Sequence, residues 1–240
     1  MVRTRRSCSL SRRARARTFT GVGANEGFAA GRVVCVCALW ALVHSVLASQ
    51  QAKDLTRRIA GPRYRDGLYR AAYNAQSMVL LIWAARQFAR LPDWELYSAK
   101  PPWSWLFRAS QAASLGVLLS GVRVMGIANF AGITPLRDFL TGKDIRSEPE
   151  AQGPPIDADH EVVRAGAFRF TRHPGNLGAL GFFLFFPRMT ANRAVLAALV
   201  ALYVVLGSMH EEYRLRAAYG AAYERYRRVV PFLIPRRSRR

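Results

Sequence analysis

Residues 172–212, RHPGNLGALGFFLFFPRMTANRAVLAALVALYVVLGSMHEE, decide the fold. An apolar run opens at Pro174, breaks at Pro187-Arg188, resumes after Arg193 and stops at Met209-His210, just before Glu211-Glu212. Two such runs joined by a short polar turn read as a helical hairpin that leaves through a bilayer and returns. The return brings Glu211 back to the depth of Arg172 and His173. At about 1.5 Å per residue each run is short for a hydrocarbon core of about 30 Å, so the pair tilts little, thins the bilayer or is shielded by neighbouring helices.

Outward from the hairpin, the whole chain has 240 residues, 51% of them hydrophobic, and a formal charge of +21. That charge suits a nucleic-acid binder or a membrane protein with basic loops. The distribution separates the two. Apolar residues are bunched into runs of spanning length and arginines sit between the runs, whereas a nucleic-acid binder carries a basic stripe on a soluble fold. The expected partner is therefore the lipid bilayer and not nucleic acid. Three more runs cover Phe28–Ala48, Ala71–Leu91 (interrupted by Arg86 and Gln87) and Trp103–Met125 (with Arg108 near its start). With Pro174 to about Pro187 and Ala194–Met209, they predict an all-α polytopic integral membrane protein of about five transmembrane helices.

Basic residues set the orientation. Lys53, Arg57, Arg58, Arg63, Arg65 and Arg70 fill the first loop, and Arg137, Lys143, Arg146, Arg164, Arg169 and Arg172 fill the third. The second loop balances Arg90 and Lys100 against Asp93 and Glu95, and the hairpin turn has only Arg188 and Arg193. The positive-inside rule then puts loops one and three and the C-terminus in the cytoplasm, as in a bacterial inner membrane. The basic N-terminal residues 1–27, from Arg3 to Arg17, fall on the other side in this scheme and are read as a disordered tail, not a cleaved signal. Residues 28–130 form the N-terminal helices, 131–159 a flexible cytoplasmic loop, 160–235 the site-bearing region with the hairpin, and 236–240 a basic tail. Cys8, Cys35 and Cys37 have no metal-ligand spacing, and no metal is expected.

Chemistry concentrates at the hairpin's open end. Proline suits the first helical position, so a helix starting at Pro174 points its free amides and positive dipole end at the cytoplasmic face. With Arg172 and His173 this suits a carboxylate or phosphate, though a basic interface anchor reads the same locally. Gly175, Gly178 and Gly181 let a ligand or a neighbouring helix approach the backbone. Two adjacent carboxylates at Glu211-Glu212 are costly unless solvated or paired, and serve either as an ion-pair partner or as a holder of hydroxyls or a cationic ligand. Beyond them Leu215, Tyr219, Tyr223 and Tyr226 share one face of an amphipathic cytoplasmic helix, with Gly220 a possible interruption and Pro231 the stop. Val229–Pro235 reads as a tail pressed back on the membrane.

These blocks resemble the isoprenylcysteine carboxyl methyltransferase-like superfamily of membrane methyltransferases. His160-Glu161-Val162-Val163, Gly166-Ala167-Phe168 and Arg172-His173-Pro174-Gly175-Asn176-Leu177-Gly178 follow its order of motifs, as do Glu211 through Tyr223 and Val230 through Pro235. The segment LVHSVLAS, the later LYRAAYN and Pro187-Arg188-Met189-Thr190 look like its NnrU-type and methanethiol S-methyltransferase-like branches. The resemblance implies S-adenosyl-L-methionine as cofactor, held by His160, Glu161, Val162, Val163, Phe168, Arg172, His173, Pro174, Gly175, Asn176 and Glu211. Two positions depart from the pattern. Asn176 stands where the family has Tyr, and Gly207 stands where the carboxyl methyltransferases carry a substrate-recognising Arg. A prenylcysteine carboxylate is therefore not the expected acceptor, and a small or lipophilic thiol is. Two alternatives stand beside this reading. One is a non-enzymatic NnrU-type accessory protein. The other is an NADPH-dependent sterol-type reductase, against which Ala179 replaces the Glu of its motif. His44, Tyr73, Asn74, Gln76 and Arg108 are polar residues of the first three runs that could line an acceptor cavity.

Overall fold

Capping residues, prolines and glycines set the boundaries of the helices. The computed structural model describes residues 8–147 and 152–235, with side chains from residue 27 onward. Helix α1 (Cys8–Ala48) ends at Ser49, whose hydroxyl accepts from the Ala52 amide at 3.3 Å and starts α2 (Gln50–Ala60). Pro62 opens the short α3 (Pro62–Gly67), and α4 (Tyr69–Phe88) follows. After strand β1 (Glu95–Ser98) come α5 (Trp103–Met125), α6 (Ile127–Ala131) and α7 (Ile133–Leu140). A 3-10 turn at Gly166–Arg169 leads into α8 (Pro174–Leu184), then strand β2 (Arg188–Thr190), α9 (Ala191–Tyr219) and α10 (Ala221–Val229).

The chain is mostly helical, as the sequence predicts. Helix α8 packs between α5 and α9, α9 packs on α1, and α1 packs on α4. The fit of α8 on α5 depends on small residues. A Cβ at Gly178 would lie 2.5 Å from the Ser114 carbonyl oxygen, so only glycine allows this approach. Outward faces of the row are apolar: Leu39 and Leu42 of α1, Met78 and Val79 of α4, Leu119 of α5, and Leu202 and Leu206 of α9 are exposed. Such a belt is what a bilayer would cover. Among the described residues, α1 from Gly27 to Ala48 and α9 are long and apolar enough to cross a membrane by length and composition. These two suggest a membrane protein. Helix α8, with 11 residues, is about 16 Å long.

Four features depart from the sequence expectation. Helix α9 runs for 29 residues straight through Glu211-Glu212 instead of ending near Met209. The amphipathic segment is thus its last turns plus α10, and the break falls at Gly220, whose φ of 55° is the left-handed region that favours glycine. Second, β1 and β2 form an antiparallel ribbon, Tyr97 facing Met189 and Ser98 facing Arg188, which ties the second loop to the hairpin tip. Third, helix α7 occupies residues that read as part of the 131–159 loop, and Pro154 from the end of that loop is buried. Residues 148–151 of the loop lie outside the described residues, as do 1–7 and 236–240. Fourth, α1 takes in residues 8–27 of the basic tail.

A compact core sits at the hairpin's open end. Val162, Leu215, Ala222, Tyr223, Tyr226 and Val230 form it, joining the 160–163 segment to α9 and α10.

Candidate functional site

Glu212 and Glu211 are neighbours in sequence but point to different surroundings. Four residues per step place Ser208 and Glu212 on one buried face of α9, together with Leu215. The same spacing places Tyr203, Gly207 and Glu211 on a face that lines a cavity of about 360 Å³. That volume lies within the range of about 300–1,000 Å³ common to small-molecule sites.

Glu212 is a buried hub. Its Oε1 accepts from Arg172 Nε at 2.8 Å, His173 Nε2 at 2.9 Å and the Tyr223 hydroxyl at 2.8 Å. Arg227 Nε lies 2.8 Å from its Oε2. A carboxylate this enclosed is tolerable because cations and a hydroxyl surround it. Burial, then the hydrogen bond to Glu212, holds the Tyr223 hydroxyl protonated well above the ordinary tyrosine range.

His173 spends both ring nitrogens on carboxylates, Nε2 on Glu212 and Nδ1 on Glu211 Oε2 at 3.1 Å. Burial alone would lower its pKa, but hydrogen bonds to and the charge of both glutamates outweigh burial, so the pKa is raised. An imidazolium donating to each carboxylate is the consistent state. His173 therefore positions Glu211 more than it offers itself to a ligand. Glu211 keeps 26% of its side chain exposed, toward the cavity.

The C-terminal segment closes over this pair. Arg172 donates from its amide to Pro231 O and from Nη1 to Val230 O and Arg227 O, each at 3.1 Å. The Phe232 ring lies edge-on to His173 at 5.2 Å and under the Arg172 guanidinium at 5.7 Å. Residues 229–235 thus clamp the Arg-His pair, where the sequence suggested only a tail pressed on the membrane.

Helix α8 starts at the cavity wall. His173, Pro174, Gly175 and Asn176 all line it, with Phe168 and Arg172 beside them. Gly175 has nothing within 4 Å of where a Cβ would stand, so its backbone is open to a ligand. Of the three glycines, Gly178 and Gly181 serve helix packing and Gly175 faces the cavity. Asn176 donates to Ser208 Oγ at 2.8 Å and, more weakly, toward Glu211 Oε2 at 3.5 Å, bridging α8 to α9.

Seven of the eleven expected cofactor residues therefore meet at one cavity: Phe168, Arg172, His173, Pro174, Gly175, Asn176 and Glu211. His160, Glu161, Val162 and Val163 lie outside its lining. His160 adopts a φ of 57° in a loop where the Asp157 carboxylate accepts from the Glu161 amide at 2.8 Å. Glu161 pairs with Arg225 at 2.6 Å, Val162 bridges Ile156 in the buried core, and the Val163 amide donates to Pro155 O at 2.9 Å. Their block supports α10 from beneath; α10 supplies Tyr223 to Glu212 and Tyr226 to Phe168 O at 2.9 Å.

Ser208 and Arg227 are polar groups that the sequence reading did not assign; it left open which of Glu211 and Glu212 is the ion-pair partner and gave Tyr223 only a place on a packing face. The signal for Ser208 and Glu212 is the helical phase of α9: residues 208, 212 and 215 share one face and 203, 207 and 211 the other. Of the polar residues noted in the first runs, His44, Tyr73 and Asn74 line the cavity, while Gln76 and Arg108 do not.

Comparison with known proteins gives a consistent set of relatives. Methanethiol S-methyltransferase 1 of Bradyrhizobium diazoefficiens is 27% identical over 204 residues, 84% of this chain and 65% of that protein. Methanethiol S-methyltransferase of Pseudomonas deceptionensis is 26% identical over 219 residues, 90% of this chain and 76% of its own length. Methanethiol S-methyltransferase 2 of Bradyrhizobium diazoefficiens is 41% identical over a shorter stretch of 69 residues, 29% of this chain. The chain thus spans just under two thirds of the first of these relatives. No family profile and no solved structure matches it. Over most of its length the chain is similar to proteins named methanethiol S-methyltransferase, in line with the branch that its N-terminal segments and hairpin tip resemble.

Proposed function

We propose that the protein is an integral membrane S-adenosylmethionine-dependent methyltransferase whose acceptor is a small or lipophilic thiol. The observation that carries this reading is the single cavity into which the Pro174 helix start and Glu211 both open, in a chain similar to proteins named methanethiol S-methyltransferase. The proposed topology has five spans, α1, α4, α5, α8 and α9, with the cavity mouth on the cytoplasmic side of a bacterial inner membrane. Basic first and third loops support that orientation.

The residues present fit the cofactor. The open backbone at Gly175 leaves a cradle that a Cβ would fill, and the free amides and dipole of α8 suit a carboxylate there. Arg172 and His173 add positive charge behind that point, and Glu211 is placed to hold an ammonium or ribose hydroxyls. When bound, S-adenosylmethionine supplies a methyl group carried on a cationic sulfonium.

The protein's part is to hold and exclude. His173 fixes the Glu211 carboxylate through a charge-assisted hydrogen bond, and Asn176 and Ser208 fix the α8–α9 spacing. A bilayer around the exposed apolar faces of α1, α4 and α9 would limit access of water to the cavity from the side. Holding acceptor and methyl donor in line contributes to rate by orientation, and a dry site disfavours separated charges relative to a transition state in which they merge.

Calorimetric titration of the detergent-purified protein with S-adenosylmethionine tests the reading. Saturable binding is expected, weakened at least tenfold (about 1.4 kcal/mol) by Glu211→Ala. No binding, or binding indifferent to Glu211, contradicts it; saturable NADPH binding instead would return the reductase reading.

A further inference from the structure

The turn that leads into α8 carries a second charged feature, outside the cavity. Arg164, Arg169, Val229 and Val230 line an open cleft between this turn and the start of the C-terminal clamp. Arg169 Nε donates to Arg164 O at 3.1 Å, which folds the Arg169 guanidinium back over the turn. Tyr226 donates to Phe168 O at 2.9 Å and pins α10 to the turn, so the two walls of the cleft are held together. Arginines nearby on α9 and α10 are taken by carboxylates: Arg225 by Glu161 at 2.6 Å, Arg216 by Glu224 at 2.8 Å and Arg227 by Glu212 at 2.8 Å. Arg164 and Arg169 are exposed and have no carboxylate partner among the described residues.

Apolar side chains flank this pair of cations. Phe170, Val229 and Ile234 each leave 60% or more of their surface exposed. The Thr171 hydroxyl donates to Phe232 O at 3.4 Å, so the segments that carry Phe170 and Ile234 run side by side. On its other side the turn rests on α5, where the Ala167 amide donates to Ser120 Oγ at 3.0 Å. Ser120 follows Leu119, which is exposed as part of the apolar belt. The cleft therefore sits at an edge of that belt. Guanidinium forks match phosphate oxygens, and arginine stems lie well along apolar surface while their heads reach a charged layer. A soluble anion would leave Phe170, Val229 and Ile234 uncovered, and a lipid without net charge would leave the two cations uncompensated.

We propose that this cleft docks an anionic phospholipid, with its phosphate on Arg164 and Arg169 and its chains along Phe170 and Ile234, and that the docked lipid braces the clamp over the cofactor site. The proposal rests on the membrane placement and the S-adenosylmethionine reading given above. Bracing follows from how the clamp is connected. Val230 lines the cleft, and its carbonyl accepts from Arg172 Nη1 at 3.1 Å, while Pro231 O accepts from the Arg172 amide at 3.1 Å. Arg172 in turn holds Glu212, which shares His173 with Glu211. A headgroup that bridges the turn to Val229 and Val230 ties down the segment that keeps this chain of contacts in place. Glu211, the carboxylate assigned to the cofactor, stands at its end.

The test uses the purified full chain in nanodiscs of phosphatidylcholine alone or mixed equally with phosphatidylglycerol. Two quantities are measured: retention of spin-labelled phosphatidylglycerol relative to spin-labelled phosphatidylcholine, and Kd for S-adenosylmethionine. Wild type is expected to retain the anionic lipid at least fivefold over the zwitterionic one and to bind S-adenosylmethionine at least threefold more tightly in the mixed discs. Arg164→Gln and Arg169→Gln are expected to lose most of both effects, whereas Arg58→Gln, which removes an exposed charge on α2, keeps them. Inorganic phosphate added to phosphatidylcholine discs is expected to leave Kd unchanged. The docking site is overturned by absent lipid preference in wild type, by equal losses in Arg58→Gln, or by phosphate reproducing the effect. Lipid preference with the same Kd in both discs overturns the brace. Wild type that binds no S-adenosylmethionine in either disc overturns the cofactor reading instead, and the lipid measurement still reports on the docking site, so the failures are distinguishable.

Discussion

Glu211 and Glu212 differ by one residue and by almost everything else. Glu212 is enclosed by Arg172, His173, Tyr223 and Arg227, while Glu211 faces the cavity. Removing one partner from such a buried cluster leaves charge without compensation, which costs about 3–5 kcal/mol. In chemical denaturation, Glu212→Ala is therefore expected to lose about that much stability and Glu211→Ala much less. The pH dependence has a definite sign. The pKa of His173 is raised above its ordinary 6.5, so its contribution is fully present below 6.5 and disappears as pH rises through the elevated folded value. The gap between wild type and Glu212→Ala should shrink over the same rise; a gap that widens, or a loss under 1 kcal/mol, would contradict the hub. An ion-pair role was legible in two adjacent glutamates, but not which of the two takes it. What distinguishes them is the phase of a helix that continues past its apolar run, and the sequence reading ended that run at Met209.

The α8–α9 hairpin is the element that makes a site at all. Proline at the start of α8 and the long apolar run of α9 were legible because each has a simple physical cause: a missing amide proton and the cost of exposing apolar surface. The β1–β2 ribbon was not legible, since three or four residues are too few to show a period of two. Its effect is to fasten the tip, with Arg188 Nε 2.6 Å from Glu95 and Asp93 accepting from the Asn192 amide at 3.0 Å. If α8 crosses outward and α9 returns, reporter fusions in the 187–188 turn and after residue 235 should read opposite sides of the membrane, the C-terminal one cytoplasmic. Fusions reading the same side would remove the five-span topology and the placement of the cavity mouth with it.

At the scale of the whole molecule, charge and hydropathy distribution were the most legible signals. Basic loops between apolar runs led to the expectation of a membrane protein, and two described helices are long and apolar enough to cross one; the short motifs indicated the methyltransferase branch that the relatives' names match. Long-range packing was not legible. Nothing in Val229–Pro235 announces that it folds over Arg172, and nothing in the spacing of His44 and Tyr73 announces that α1 and α4 bring them to hydrogen-bond distance. Both depend on how five helices stand side by side, which a single sequence encodes only through many weak contacts. The central claim, methyl transfer from S-adenosylmethionine to a small thiol, is tested most directly by incubating the purified protein with methyl-labelled cofactor and methanethiol and following label into the volatile thioether. Labelled dimethyl sulfide is expected, formed in proportion to enzyme and reduced at least tenfold by Glu211→Ala. Protein that binds the cofactor yet releases no labelled thioether with methanethiol or any other thiol would contradict the account.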